Sequence, residues 1–276
     1  MPLIACGRAP LPFGAAALST GVAGFVLRAH SGVMRGWWRE IAGLVLPVAC
    51  GGCGRPRTEL CEDCRAALRG AVPRRVRPAP EPAGLPVVHA AAAYEDAVRA
   101  TLLAHKERGV LGLSRELGSA LAGAVRAGTG QAGGRPGPLL LVPVPSARRA
   151  VAARGHDPTR RIALSAAGEL RRGGVPAQVA SVLRQRRPVA DQSGLGARQR
   201  QENLAGALEV VAGGERLVAT ERVVLVDDLV TTGASLAEAA RALDAAGLRE
   251  DKGSGMRQAA VVAASPSAFE INRNCQ

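Results

Sequence analysis

The stretch from Arg222 to Ser235, RVVLVDDLVTTGAS, decides the fold. Val223, Val224, Leu225 and Val226 are apolar and mostly β-branched, the composition of a buried strand. Asp227 and Asp228 follow at once, then the turn Thr231, Thr232, Gly233, Ala234, Ser235, then a helical pattern. Leu236, Ala240 and Leu243 share one helical face, and Gly247 is placed to stop that helix. Strand, acidic bend, hydroxyl- and glycine-rich loop and helix in that order make an anion site at a helix N-terminus. The hydroxyls donate, glycine lets backbone N–H groups approach, and the helix dipole favours a phosphate.

The acids narrow the ligand. A P-loop carries a lysine before its Ser/Thr, and a dinucleotide fold carries its glycine fingerprint; this stretch has neither. Two adjacent carboxylates beside a phosphate cradle suit a sugar phosphate, whose hydroxyls they accept hydrogen bonds from. The bland alternative, a strand end and an ordinary helix cap, suits each feature taken singly but not the whole run.

The surrounding chain reads as α/β. Strands are expected at residues 87–93, 139–144, 178–183 and 259–264, and helices at 96–106, 111–126 and 158–172. In the second helix Leu113, Leu117, Leu121 and Val125 recur at four-residue steps. Strand alternating with helix predicts a mostly parallel sheet with helices on both faces, whose ligands sit outside the C-terminal strand ends. Pro73, Pro78, Pro80, Pro82 and Pro86 read as a linker over residues 73–86.

Four of the six cysteines, Cys50, Cys53, Cys61 and Cys64, form two Cys-x-x-Cys pairs within CGGCGRPRTELCEDC. This spacing supplies four thiolates to one tetrahedral Zn²⁺, and Gly51, Gly52 and Gly54 permit the tight knuckle. Disulfides do not suit a chain that otherwise reads as cytoplasmic, and a redox dithiol appears once rather than twice. The expectation for residues 34–72 is an apolar helix bearing Trp37, Trp38, Ile41, Leu44, Val45 and Leu46, followed by a small four-cysteine structural zinc ribbon. Cys6 and Cys275 have no assigned role. Residues 1–33 read as an extension, with Met34 as the expected start of translation.

The net charge is +13 over 276 residues, and the only lysines are Lys106 and Lys252. Arginine-rich, lysine-poor composition fits a GC-rich genome as well as a polyanionic partner. Aromatics are 2%, thin for a surface that stacks single-stranded bases. No run reaches the roughly 18 apolar residues of a membrane span.

Arg222–Ser235 closely resembles the 5-phosphoribosyl-1-pyrophosphate (PRPP) motif of type I phosphoribosyltransferases. Together with the four-cysteine site, HKERG (residues 105–109), VPVPSARRAVAARGHDPT (142–159) and DQSGLGARQRQEN (191–203), it resembles the ComF family, phosphoribosyltransferase-like proteins associated with DNA uptake. The resemblance covers about residues 37–269. It departs at Gly155-His156-Asp157-Pro158, where many relatives have Gly-Phe-Asn-Gln.

The resemblance implies a type I phosphoribosyltransferase-like domain at residues 87–276 that transfers phosphoribosyl from PRPP to an unidentified base or amine, releasing pyrophosphate. Asp227 and Asp228 would bind the ribose hydroxyls at the catalytic centre. Thr231, Thr232, Gly233, Ala234 and Ser235 would hold the 5′-phosphate. Ser146, Ala147, Arg148 and Arg149 would form the pyrophosphate loop, with Lys106 and Arg108 as further candidates and Mg²⁺ bridging the oxygens. Residues 184–203 would form a flap whose arginines screen the leaving group. His105 and His156 read as surface histidines, with acid–base roles as the alternative. The other functions implied are a non-catalytic PRPP sensor and an accessory of the DNA-uptake machinery that handles single-stranded DNA.

Overall fold

The computed structural model describes residues 48–131, 137–189, 196–219, 221–247 and 257–273, which belong to one compact unit, Val48–Gln276. The expected start at Met34, the apolar strip at 37–46, Cys6, Cys275 and residues 190–195 of the expected flap lie outside the described residues.

The chain is α/β, built on a six-stranded, mostly parallel sheet. In chain order its strands are β1 (Arg74–Val76), β2 (Val87–Ala93), β3 (Leu139–Pro143), β4 (Ala177–Val179), β7 (Arg222–Val230) and β8 (Gln258–Ala264). The order across the sheet is β1-β2-β8-β7-β3-β4, and β1 alone runs antiparallel to its neighbour. A separate antiparallel ribbon joins β5 (Leu183–Gln185) to β6 (Leu208–Val210). The helices are α1 (Glu62–Arg69), α2 (Asp96–Lys106), α3 (Ser114–Gln131), α4 (Arg148–Arg154), α5 (Pro158–Arg172), α6 (Ala197–Leu204), α7 (Gly214–Ala219) and α8 (Ala234–Ala245). None of the described helices is long and apolar enough to cross a membrane.

The central strands are apolar at nearly every position because both faces are covered. Side-chain alternation divides them between two cores. Leu141, Val224, Val226 and Val262 pack with Leu102 of α2, Leu117 and Leu121 of α3 and Ile162 and Leu170 of α5. Leu140, Val142, Leu225 and Val261 pack with Leu236, Ala239 and Leu243 of α8.

This division places the crevice. β3 and β7 are adjacent and parallel, from Leu139↔Arg222 to Pro143↔Val226. The helix α5 that follows β3 covers one face, and the helix α8 that follows β7 covers the other. Neighbouring strands whose connections leave to opposite faces create a switch point, and their C-terminal ends open a cleft there.

Local structure departs from the sequence reading in four places. The acids lie inside β7, not after it: the strand continues to Val230 because β8 keeps pairing with it, Asp227 opposite Val261 and Leu229 opposite Ala263. The proline-rich stretch contributes edge strand β1, and Leu85 is buried in the α8-side core. The single strand expected at 178–183 divides into β4 and β5, because the chain leaves β3 after Ala180 donates to the Leu141 carbonyl and turns into the ribbon. The helix expected at 111–126 begins with a 3-10 turn at Leu111–Leu113 and continues as α3 to Gln131.

Candidate functional site

Two groups of chemically capable side chains stand out, the four cysteines and the acids at the β3/β7 crevice.

The cysteine knuckle opens with a bridge between Ala49 and Pro56. Cys50 N–H donates to the Arg55 carbonyl at 2.8 Å, and Gly54 N–H donates back to Cys50 at 2.9 Å. Cys61 precedes α1 and directs its own N–H to the Cys50 Sγ at 3.3 Å. All four Sγ atoms lie within 4.8 Å of one another, close enough to bind a metal ion. A tetrahedral ion with ~2.3 Å bonds to sulfur sets its sulfurs ~3.8 Å apart, and Cys53 and Cys61 stand 3.6 Å apart. A Cβ on Gly52 would fall 2.6 Å from the Cys64 Sγ, so the second knuckle position requires glycine.

The sulfur electrostatics also suit a cation. Burial opposes ionisation of Cys50, but N–H groups from Cys53, Cys61 and Gly52 outweigh it and hold the thiol at about 6. Burial and the other three sulfurs push Cys64 well up. One thiolate forms readily, the last is resisted, and a central divalent charge removes that resistance. This module is continuous with the main core: Cys50, Cys61, Cys64, Leu60 and Leu68 are buried beside Leu102 and Ala104 of α2.

At the crevice, the last rung between the strands is Val144 N–H to the Val226 carbonyl, 2.9 Å. Asp227 and Asp228 come immediately after it, where β3 leaves. Asp228 is 5% exposed and accepts a hydrogen bond from Lys106 Nζ at 2.7 Å. Its own N–H donates to Asp227 Oδ1 at 2.8 Å. Burial, and then the charge of Asp228, push Asp227 well above the usual carboxylate range. Burial acts on Asp228 in the same direction, but Lys106 outweighs it and holds Asp228 below that range. The pair thus combines one carboxylate anchored by Lys106 with one that holds its proton more tightly than an ordinary carboxyl, a set suited to sugar hydroxyls or a cation.

Lys106 ends α2, so the helix that packs against the cysteine module also secures the acids. The next residue, Glu107, makes a two-point ion pair with Arg154 of α4 at 2.8 and 3.0 Å. The resemblance places Lys106 on pyrophosphate; in this structure its ammonium is on Asp228.

The hydroxyl loop follows β7. Thr231 is exposed, Thr232 and Ser235 are half-buried, and Gly233 and Ala234 are buried. Gly233 has φ +77°, and a Cβ there would meet Leu85 Cδ1 at 2.9 Å. Both facts demand glycine. Ala234 opens α8 without a side-chain cap. Beyond β3, Ser146 and Ala147 are half-buried at the crevice mouth, while Arg148 and Arg149 are exposed in the first turn of α4.

Three features escaped the sequence reading. Arg200 of α6 donates to Thr231 Oγ1 at 2.9 Å, bringing the stretch expected as a flap onto the hydroxyl loop. Glu238, 5% exposed, accepts from the Leu208 N–H at 2.9 Å and pairs with Arg241, which clamps β6 onto α8. The i,i+3 spacing of Glu238 and Arg241 is visible in sequence; its target on β6 is not. Third, His105 is fully buried, contrary to the surface position expected. Its Nδ1 lies 3.3 Å from the Val110 carbonyl and its ring meets His156 edge-on at 5.9 Å. A distinct groove of about 490 Å³, lined by Arg186, Leu208, Glu209 and Arg241 among others, includes neither aspartate.

Burial lowers the proton affinity of His105 from its ordinary value of 6.5. The unfolded chain takes up a proton below that value and the folded chain resists it, so this residue makes stability fall as pH drops below about 6.5. The expected result is a lower denaturant midpoint at pH 5 than at pH 7, with a smaller difference in His105→Gln. An identical difference in the variant would show that other groups carry the dependence.

Comparison with protein-family models finds no match for this chain, and comparison with curated proteins finds none either.

Proposed function

We propose that this chain is a phosphoribosyltransferase-type protein that binds PRPP at the β3/β7 crevice, with Zn²⁺ on Cys50, Cys53, Cys61 and Cys64. The observation that carries the reading is the pair of acids at a switch point, Asp228 buried and Asp227 half-buried, just beyond the last β3–β7 rung and separated from the hydroxyl loop by Leu229 and Val230. In this assignment Asp228, kept ionised by Lys106, accepts from one ribose hydroxyl, and Asp227 orients the other. Thr231 to Ser235 receive the 5′-phosphate, and Ser146 to Arg149 face the pyrophosphate. Mg²⁺ supplies charge neutralisation for that pyrophosphate. The reaction is displacement at the anomeric carbon: the bond from C1 to the pyrophosphate oxygen breaks, and a bond to an acceptor nitrogen forms. The protein's contribution is positioning and charge stabilisation.

A PRPP sensor without turnover is the second reading. The burial of His105 favours it, since the histidine next to Lys106 in sequence is enclosed by protein. A pyrophosphate-release assay over nucleobases and amines, run on protein shown to bind Mg-PRPP, separates the two. Release with any acceptor establishes the transferase; binding with no release across the set establishes the sensor. Failure to bind Mg-PRPP at all contradicts both.

A further inference from the structure

We propose that Arg200, on α6, is a ligand of the 5′-phosphate end of the substrate rather than of its pyrophosphate; this rests on the PRPP reading above and adds a specificity residue to it.

The hydroxyl loop from Thr231 to Ser235 carries no cation of its own. A phosphate monoester is close to a dianion at neutral pH, so hydroxyls and amides alone leave much of its charge unmatched. Two of the cations near the crevice are engaged, Lys106 with Asp228 and Arg154 with Glu107, and Arg148 and Arg149 stand on the pyrophosphate side in the assignment above. The other arginines of the same segment are engaged too. Arg184 and Arg186 pair with Glu209, Arg198 pairs with Glu202, and Arg187 donates to the carbonyls of Asn203 and Ala205 at the end of α6.

Arg200 differs. One terminal nitrogen donates to Thr231 Oγ1 at 2.9 Å, and its Nε is buried without a hydrogen-bond partner among the described residues. The guanidinium therefore rests on the first hydroxyl of the loop with a donor unmet. A phosphate in the loop would meet this guanidinium through its terminal N–H groups, and the Thr231 hydroxyl can then turn its hydrogen to the same anion.

The placement is structural. α6 packs on α8, the helix that begins at the loop. Behind it, Glu238 and Arg241 of α8 hold both the N–H and the carbonyl of Leu208. Arg200 thus approaches from a helix fixed to the same element that presents the loop. Two other arrangements are distinguishable from this one: an arginine that screens the departing pyrophosphate, and one that only steadies α6.

The test is calorimetry on the full chain with two probes, ribose 5-phosphate and inorganic pyrophosphate with Mg²⁺, and with PRPP as reference. Arg200→Ala is expected to weaken ribose 5-phosphate roughly 10- to 100-fold, the scale of a hydrogen bond to a charged group, while leaving pyrophosphate within about twofold. Arg200→Lys keeps the charge without the fork and recovers part of the loss. If Arg200→Ala leaves ribose 5-phosphate binding unchanged, or weakens pyrophosphate equally, the assignment is overturned while the PRPP reading stands. If the wild-type chain binds neither PRPP nor ribose 5-phosphate, both fall together.

Discussion

Cys64→Ser is expected to abolish stoichiometric metal and to lower the thermal midpoint more than any other single substitution considered. Structural zinc contributes about 10–16 kcal/mol of apparent binding free energy in small zinc modules, comparable to the whole stability of an ordinary domain, about 5–15 kcal/mol. Cys64 is buried, and its sulfur sits against Gly52. The cysteine module also forms one side of the core that contains α2 and α3. Its loss therefore reaches beyond residues 50–64. Helix α2 loses its support, and with it the position of Lys106 beside Asp228. Metal analysis of the purified chain together with a thermal melt checks this. One zinc per chain in the wild type, none in the variant and a fall of about 10 °C or more are expected, since ~1 kcal/mol moves a domain of this size by ~2–4 °C. A metal-free wild type with an unchanged melt on Cys64→Ser would leave the cysteines as ordinary core residues.

Asp227→Asn is expected to move stability and ligand binding in opposite directions. The carboxyl of Asp227 is pushed up by burial and by Asp228 beside it. At neutral pH the fold either holds a proton there or tolerates two adjacent negative charges, and both are unfavourable relative to a neutral amide. The sign follows: because the folded pKa lies above 3.8, the group erodes stability as pH rises from that value through the folded pKa. Asparagine keeps the shape and removes the titration, so the variant should melt higher by a few degrees, ~1 kcal/mol on the scale above. It should also bind Mg-PRPP at least ~10-fold more weakly, one charged hydrogen bond being worth ~1.5–3 kcal/mol. A site that is costly to the fold and useful to a ligand has this signature. Asp228→Asn differs: Lys106 loses its partner, so no gain in stability is expected. Parallel melts and titrations of the two single variants check the contrast, and a fall in stability for Asp227→Asn would remove the argument that its carboxylate is held at a cost.

The parts legible in sequence are those encoded by local pattern. The apolar runs at Leu139 and Val223, the four-residue steps of α3 and the turn glycines Gly233 and Gly247 place strands, helices and loops where the structure has them. The paired Cys-x-x-Cys spacing brought four sulfurs together because each knuckle is local and only the docking of two knuckles is not. Contacts between distant segments were not legible. Lys106 reaches Asp228 across 122 positions and Arg200 reaches Thr231 across 31, and neither partner carries a local mark of the other. Edge strand β1 was hidden for a different reason. A three-residue arginine-rich strand among prolines has little periodicity, and its pairing with β2 comes from the sheet it joins. His105 was misplaced because a histidine between Ala104 and Lys106 looks like the wet end of a helix, whereas the chain folds back over it at Val110.

The central claim, that the acids in β7 grip a phosphorylated pentose, is tested most directly by titrating Mg-PRPP calorimetrically into the wild-type chain and into Asp227→Asn/Asp228→Asn. The account predicts saturable one-site binding to the wild type that requires Mg²⁺ and disappears in the double variant. Equal affinity for both proteins, or no binding by a folded, metal-replete wild type, would contradict it.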